Sequence, residues 1–244
     1  MYKQGYYKIT ENIALTANVY KMTLEGDTQY INESGKFINI NIDGLFLRRP
    51  ISVCDYCDGK ITIIYKVVGK GTEMMSQMLP GQVLDVLTGL GNGFCCEKSG
   101  AFPLLIGGGV GVPPMYNLAK KLIEQGKQVT VVLGFNKKDE IFYEDEFKAL
   151  GANVIVTTVD GSYGVKGFVT DAIKGVNYTH HYVCGPLPML KAVYNATEGD
   201  GSYSFEERMG CGFGGCVGCT CKTKYGNKRI CKDGPVLCKE EIIW

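Results

Sequence analysis

Over residues 6 to about 87 the apolar positions fall in short runs that alternate with polar ones and stop at turn residues. The runs are YKITENIALTANVYKMTL, KFININI, LFLRRPISV, KITIIYKVV and QVLDVL. A period of two, broken by Gly, Asn and Asp, predicts antiparallel strands and hence a barrel or sandwich. One stretch departs from it. In GTEMMSQML, at 71–79, Met74, Met75, Met78 and Leu79 recur at helical spacing, so one short helix is expected there.

After a Gly-rich connector (TGLGNGF, then CCEKSG) the pattern changes at Phe102. FPLLIGGG reads as a buried strand, and PPMYNLAKKLIEQG as an amphipathic helix with Pro near its start and Gly at its end. QVTVVLGF, EDEFKALG, NVIVTTV, GFVTDAIKG, HYVCG and PLPMLKAVYNAT continue the alternation, which predicts a parallel, doubly wound sheet. With no internal repeat and no low-complexity linker, three units are expected. These are an antiparallel β barrel over 1–98, an α/β domain over 99–200 and a small cysteine-bearing subdomain over 201–244.

Composition narrows the function. The chain has 244 residues, enough for two compact domains. Its 26 Lys and Arg balance 25 Asp and Glu, so no global field attracts nucleic acid or anionic lipid, and neither is expected as a partner. The first residues lack a secretory apolar run, and no stretch reaches the roughly 18 apolar residues of a membrane span, so a cytoplasmic location is expected. In that compartment eleven cysteines are metal ligands or packed thiols rather than a disulfide framework.

Four of them form a constellation. Cys211, Cys216, Cys219 and Cys231 are spaced C-x4-C-x2-C-x11-C, with Gly210, Gly212, Gly214, Gly215 and Gly218 between and beside them. Three thiolates within nine residues converge on one inorganic centre only if the backbone curls tightly, which glycine permits. The first three match the [2Fe-2S] loop of plant-type ferredoxins, although the fourth lies closer than in those proteins. A tetrahedral zinc site is the alternative reading, but such sites usually pair two C-x2-C units. Cys221 and Cys238 are left out of the ligand set. Cys54, Cys57, Cys95 and Cys96 read as packed thiols.

Three glycine-bearing stretches suggest nucleotide chemistry. Arg49-Pro50-Ile51-Ser52 closes one strand, and Ile64-Tyr65-Lys66 runs into a turn that reaches a helix start at Gly71 and Thr72. An Arg fork and the amides of Gly71 and Thr72 could grip a pyrophosphate, with Tyr65 or Ser52 facing a ring. Gly107-Gly108-Gly109-Val110-Gly111-Val112-Pro113 is a strand-to-helix turn open to a dinucleotide pyrophosphate. Cys184-Gly185-Pro186 ends the last strand of the alternating region. Asp160, after the strand ending near Thr158, would repel a 2′-phosphate and suit a free ribose hydroxyl, which favours NAD. It could equally open a turn with Gly161, and Lys166 lies near enough to supply positive charge. His180 and His181 sit side by side on one strand, and no Ser/His/Asp set or carboxylate pair is evident, so no catalytic residue is assigned.

The R-x-x-S and G-x-x-S/T stretches resemble the FAD-binding barrel of the ferredoxin-NADP reductase superfamily, and the Gly-rich turn and C-G-P turn resemble its nicotinamide domain. RRPIS, VVGKGT, LGNGF, GGGVGVPP, DGSYG, CGPLPM, EERMGCGFGGCVGC, CKDGP and EEIIW together resemble the electron-transfer subunits of type B dihydroorotate dehydrogenases, over nearly the whole chain. That resemblance implies FAD on Arg49, Pro50, Ile51, Ser52, Ile64, Tyr65, Lys66, Gly71 and Thr72. It implies a [2Fe-2S] cluster on Cys211, Cys216, Cys219 and Cys231. It further implies NAD as the hydride partner and an FMN-containing dihydroorotate dehydrogenase catalytic subunit in a heterotetramer of two of each. A neighbouring reading is the NADH-side flavoprotein subunit of a ferredoxin:NADP oxidoreductase or cytosolic hydrogenase complex. Position 66 departs from the pattern: Lys stands where Arg is common, which keeps the charge but loses the bidentate fork.

Overall fold

The computed structural model describes residues 2–244. Six strands, β1 (Lys3–Ala14), β2 (Val19–Glu25), β3 (Phe37–Ile40), β4 (Arg49–Cys57), β5 (Lys60–Lys66) and β6 (Val83–Leu90), close an antiparallel barrel in the order β1-β2-β5-β4-β3-β6. The predicted period of two is realised in its interior, where Ile9, Met22, Leu24, Ile38, Ile40, Ile61 and Ile63 are buried together. Each such side chain contributes about 1.5–3 kcal/mol by leaving water. The expected helix is α1 (Lys70–Ser76), and Met75 is its fully buried residue.

The second sheet contains β7 (Pro103–Gly108), β8 (Thr130–Phe135), β9 (Asn153–Thr158), β10 (Val165–Lys166), β11 (His180–Cys184) and β12 (Gly201–Ser204), all parallel. Two short strands, β13 (Thr220–Thr223) and β14 (Gly226–Arg229), form a separate hairpin. Then β15 (Val236–Cys238) returns antiparallel to the large sheet, whose order is β10-β9-β8-β7-β11-β12-β15. Both β12 and β15 come from the segment expected to stand apart after residue 200. The cysteine loop is therefore tethered at both ends to the α/β sheet. The sequence GSYS lacks the apolar run that marks a buried strand, which is why β12 is not legible there.

Five further helices complete the chain: α2 (Pro113–Glu124), α3 (Glu144–Ala149), α4 (Val169–Ala172), α5 (Leu187–Ala196) and α6 (Ile230–Asp233). Helix α2 starts on two prolines and buries Met115, Leu118, Ala119 and Leu122, the face predicted by its periodicity. It is also the seam between the two large units. Asn117 donates to Asp55 Oδ1 of β4 at 2.6 Å and accepts from Ser34 at 2.6 Å, while Lys120 pairs with Asp55 at 3.3 Å. Val19, Cys54 and Ile64 of the barrel share one apolar core with Leu105, Val112 and Met115. An apolar interface of this kind holds two units in fixed relation.

Candidate functional site

At one end of the barrel the start of β4 lies beside the end of β5, because the two strands run antiparallel with Val53 opposite Ile63. This brings Arg49, Pro50, Ile51 and Ser52 next to Ile64, Tyr65 and Lys66. The Arg49 side chain crosses Gly71 so closely that an added Cβ would lie 2.1 Å from its Nε. Its Nη1 donates to the carbonyls of Leu47 and Arg48. No carboxylate pairs with it among the described residues. The neighbouring Arg48 is fully engaged: Nη2 meets Asp85 Oδ2 at 2.7 Å and Nη1 meets Oδ1 at 3.2 Å. Of the two adjacent arginines, Arg49 alone retains a charge available to an anion.

Thr72 folds the turn onto itself. Its Oγ1 accepts from the N–H groups of Val68 (2.9 Å) and Gly69 (3.3 Å) and donates to Gly69 O (3.0 Å). Its hydroxyl is thus spent on the loop, and the backbone is what remains for a ligand. Tyr65 differs from expectation. It is 2% exposed in the barrel core, stacks on Tyr20 at 5.9 Å, and donates to Asn12 Oδ1 at 3.0 Å. A residue so buried presents no face to a ring, so of the pair Tyr65 and Ser52 only the half-buried Ser52 keeps that option. Strand alternation accounts for this, since Ile64 points toward α2 and its successor must point inward. Asn12 in turn donates to the carbonyls of Met75 and Met78, each at 2.9 Å, so Tyr65 supports the end of α1. Ile64 is buried in the inter-domain core and Lys66 is half-buried.

The nicotinamide-type motifs converge on the α/β sheet. From β7 the chain steps outward to β8, β9 and β10, then returns to β11 on the other side of β7, which makes a topological switch point between β7 and β11. Gly107 and Cys184 are register partners there. Cβ atoms added in this crevice would collide: at Gly111 with Cys184 O (2.2 Å), at Gly108 with Met189 Sδ (2.4 Å), at Gly107 with Val112 Cα (2.8 Å). Glycine is therefore needed for the turn before Pro113 to press against Cys184-Gly185-Pro186. Burial raises the Cys184 thiol to about 12, which keeps it neutral. Asp160 lies on the same edge, two strands from β7. Its Oδ1 accepts from the Ser162 hydroxyl (2.7 Å) and N–H (2.9 Å), and these bonds hold the carboxyl below the usual range. The turn with Gly161, at φ +77, is real, and Lys166 packs over it.

The cysteine loop joins β12 to β13. Cys211 Sγ accepts from the N–H groups of Gly215 (3.2 Å) and Cys216 (3.4 Å), and the Cys231 N–H points at Cys219 Sγ (3.4 Å). Burial opposes ionisation of Cys211, but the amides of Cys216, Phe213 and Gly215 outweigh it and bring the thiol to about 6. Burial and the neighbouring Cys219 raise Cys231 to about 12. These N–H to sulfur contacts bring Cys216 against Cys211 and Cys231 against Cys219. Among the described residues no three His, Cys, Asp or Glu side chains gather around the position of one ion. A two-iron cluster takes two thiolates on each iron, so the paired all-sulfur donor set with N–H groups aimed at sulfur fits [2Fe-2S]. Arg229 fastens the hairpin to the loop by donating to Gly214 O (2.9 Å) while pairing with Asp233 (3.2 Å). Cys221 lies across the hairpin from Lys228.

Two asparagines contact the cysteine segment in ways that the motifs, LGNGF included, do not specify. Asn39 of β3 donates to Cys211 O at 3.3 Å. Asn92 donates to the carbonyls of Asp233 (3.2 Å) and Val236 (3.1 Å) and accepts from the Val236 N–H (3.0 Å), which fixes the segment after Cys231. The one signal for Asn39 is a polar residue inside FINI. His180 and His181 are buried against Ser202 and Tyr203, each at 3.0 Å, away from any crevice.

Comparison with known proteins agrees with this layout. Residues 105–195 match the oxidoreductase NAD-binding domain model, and residues 206–243 match the iron-sulfur cluster binding domain of dihydroorotate dehydrogenase B. A solved structure described as an NADH-dependent reduced ferredoxin-NADP oxidoreductase superposes with a TM-score of 0.88 at 30% identity, covering 98% of this chain and 90% of that one. A ferredoxin NADP+ reductase from Neisseria gonorrhoeae shares the fold, with a TM-score of 0.70 at 16% identity over 80% of this chain and 90% of that one. Among curated proteins, the dihydroorotate dehydrogenase B (NAD(+)) electron transfer subunit of Fusobacterium nucleatum is 44% identical, covering 96% of both chains. Its namesake from Bacillus mycoides is 40% identical over 100% of this chain and 99% of its own. With likeness of that degree along its whole length, the chain belongs to the family of dihydroorotate dehydrogenase B (NAD(+)) electron transfer subunits.

Proposed function

We propose that the chain carries electrons between NAD and an FMN-containing catalytic subunit that oxidises dihydroorotate to orotate in pyrimidine biosynthesis, as two copies of each subunit in a cytoplasmic heterotetramer. When bound, FAD supplies two-electron exchange with a nicotinamide, and a [2Fe-2S] cluster supplies single-electron transfer. The protein's part is binding and orientation. Arg49 and the backbone at Gly71 and Thr72 hold the flavin pyrophosphate, with Pro50, Ile51, Ser52, Ile64, Lys66 and the supporting Tyr65 shaping the rest. Gly107, Gly108, Gly109, Gly111 and Pro113 admit the dinucleotide, and Cys184, Gly185 and Pro186 floor the nicotinamide side of the crevice. Asp160, held ionised by Ser162, disfavours a 2′-phosphate. Cys211, Cys216, Cys219 and Cys231 hold the iron, and the amides aimed at their sulfurs favour the thiolate.

The observation that carries this reading is the pairing of four thiols in a loop that leans on the barrel strand next to Arg49-Pro50-Ile51-Ser52. A location in the cytoplasm is in keeping with the described residues, where no helix is long and apolar enough to cross a membrane. The 30% identical oxidoreductase represents the competing assembly. Affinity purification from the native cell separates the two. An FMN-bearing partner whose complex with this chain converts dihydroorotate and NAD+ to orotate, NADH and a proton supports the proposal. A hydrogenase or a second pyridine-nucleotide subunit in its place defeats it.

A further inference from the structure

β3 carries one polar residue among apolar ones, and that residue is nearly sealed from water: Asn39 is 1% exposed. Its Oδ1 has no hydrogen-bond partner. A buried, half-satisfied amide costs about 1–3 kcal/mol, so stability alone does not account for it. The single bond its side chain makes reaches 172 positions along the chain, from Nδ2 to the carbonyl of Cys211. Chemistry fixes the orientation of the amide, since the flipped rotamer would set Oδ1 against a carbonyl oxygen. Gly212 makes room for it. That glycine is at φ +80, and an added Cβ would lie 2.4 Å from Asn39 Nδ2.

The backbone of Asn39 lies directly opposite Pro50 in the β3–β4 register, as Phe37 lies opposite Ser52. Its neighbour on the same outer face, Phe37, packs in one core with Cys219, Ile230 and Cys231. Strand β3 is thus the wall shared by the Arg49–Ser52 strand and the cysteine loop. Asn39 is the polar link through that wall, and it is attached to the ligand whose sulfur takes two of the amides in the loop.

We propose that Asn39 is a positioning residue that fixes Cys211, and with it the first pair of thiolates, relative to the flavin-binding strand. It acts through the Cys211 backbone rather than on any reacting atom. The inference rests on the reading that the barrel holds FAD and the loop holds a [2Fe-2S] cluster. Asn92 does a different task at the far end of the loop. Its amide is satisfied at both ends, as expected of a fastener.

The test uses the full chain with Asn39→Leu, which keeps the branched shape and removes the donor, and Asn39→Ser, which shortens the side chain and serves if the bulkier leucine variant does not fold. FAD content and the NADH-to-ferricyanide rate are expected to stay within about twofold of the unsubstituted chain, since the barrel phosphate site is untouched. Reduction of the cluster by NADH, followed by loss of its visible absorption, is expected to slow by about tenfold or more. The electron paramagnetic resonance spectrum of the reduced cluster should change with it. In cluster-free protein, amide hydrogen exchange over 210–218 should quicken by about tenfold, the effect of losing one anchoring hydrogen bond. Unchanged cluster reduction, spectrum and exchange in a folded variant would overturn the role of Asn39 while leaving the functional reading intact. An unsubstituted chain that takes up neither flavin nor iron would defeat both.

Discussion

Arg49 and Gly71 are locked together: the guanidinium passes over the glycine α-carbon where a methyl group would sit 2.1 Å from Nε. Gly71→Ala should therefore push the arginine out of its place without touching its charge. Loss of one charge-assisted contact weakens FAD by about 1.5–3 kcal/mol, or roughly tenfold to a hundredfold in Kd. Arg49→Ala should do the same. Gly69 is the control, because its backbone is extended and a Cβ there meets nothing within 4 Å. Flavin fluorescence titration measures all three, and equal affinity for the Gly69→Ala and Gly71→Ala chains would remove Arg49 from the phosphate site.

How far the sequence spoke depends on whether a residue's partner is near it in the chain. The strands of the barrel, the helix α2 and the glycine turn announce themselves through local periodicity, because burial of one face is a nearest-neighbour property. The spacing of Cys211, Cys216 and Cys219 is legible for the same reason. The burial of the Tyr65 ring is not legible, because motif position says nothing about which face of β5 meets the core. The division of labour between Arg48 and Arg49 is set by Asp85, a residue on another strand. The roles of Asn39 and Asn92 depend on contacts 172 and 141 or more positions away, which no local pattern encodes.

Cys216→Ser should abolish iron binding, since oxygen replaces one of the paired thiolates, while FAD content and NADH-to-dye turnover stay near the original. Cys221→Ser should retain the cluster, because Cys221 belongs to the β13–β14 ladder and not to either pair. Iron and sulfide analysis with a visible spectrum reads both. Cluster loss in the Cys221 variant would revise the ligand set.

At the switch point the collision is backbone against backbone, which side-chain motion does not relieve. A methyl at Gly111 would lie 2.2 Å from Cys184 O and 2.6 Å from Gly185 N. Gly111→Ala should accordingly spread the crevice and raise the KM for NADH by about tenfold or more, leaving FAD affinity unchanged. Steady-state turnover with a dye acceptor provides the measurement. An unaltered KM would place the nicotinamide elsewhere.

Acid should destabilise the fold through two rings before it reaches the carboxylates. Burial holds His180 down to about 4 and His181 down to about 3, against about 6.5 in an unfolded chain. The folded state then binds fewer protons than the unfolded state below about 6.5, so stability is full above that value and falls as the pH drops toward 4. The slope is at most about 1.4 kcal/mol per pH unit for each ring. The carboxyls of Asp27, Asp160, Asp171 and Asp233 are held below their ordinary range, so their contributions are lost only in more acidic solution. Between pH 6.5 and 5 the histidines should therefore dominate. Urea midpoints of the cluster-free chain at pH 7.5 and 5 should differ, and His181→Asn should flatten the difference by about half. A midpoint that does not move in that window would mean that both rings reach water or a proton acceptor in solution.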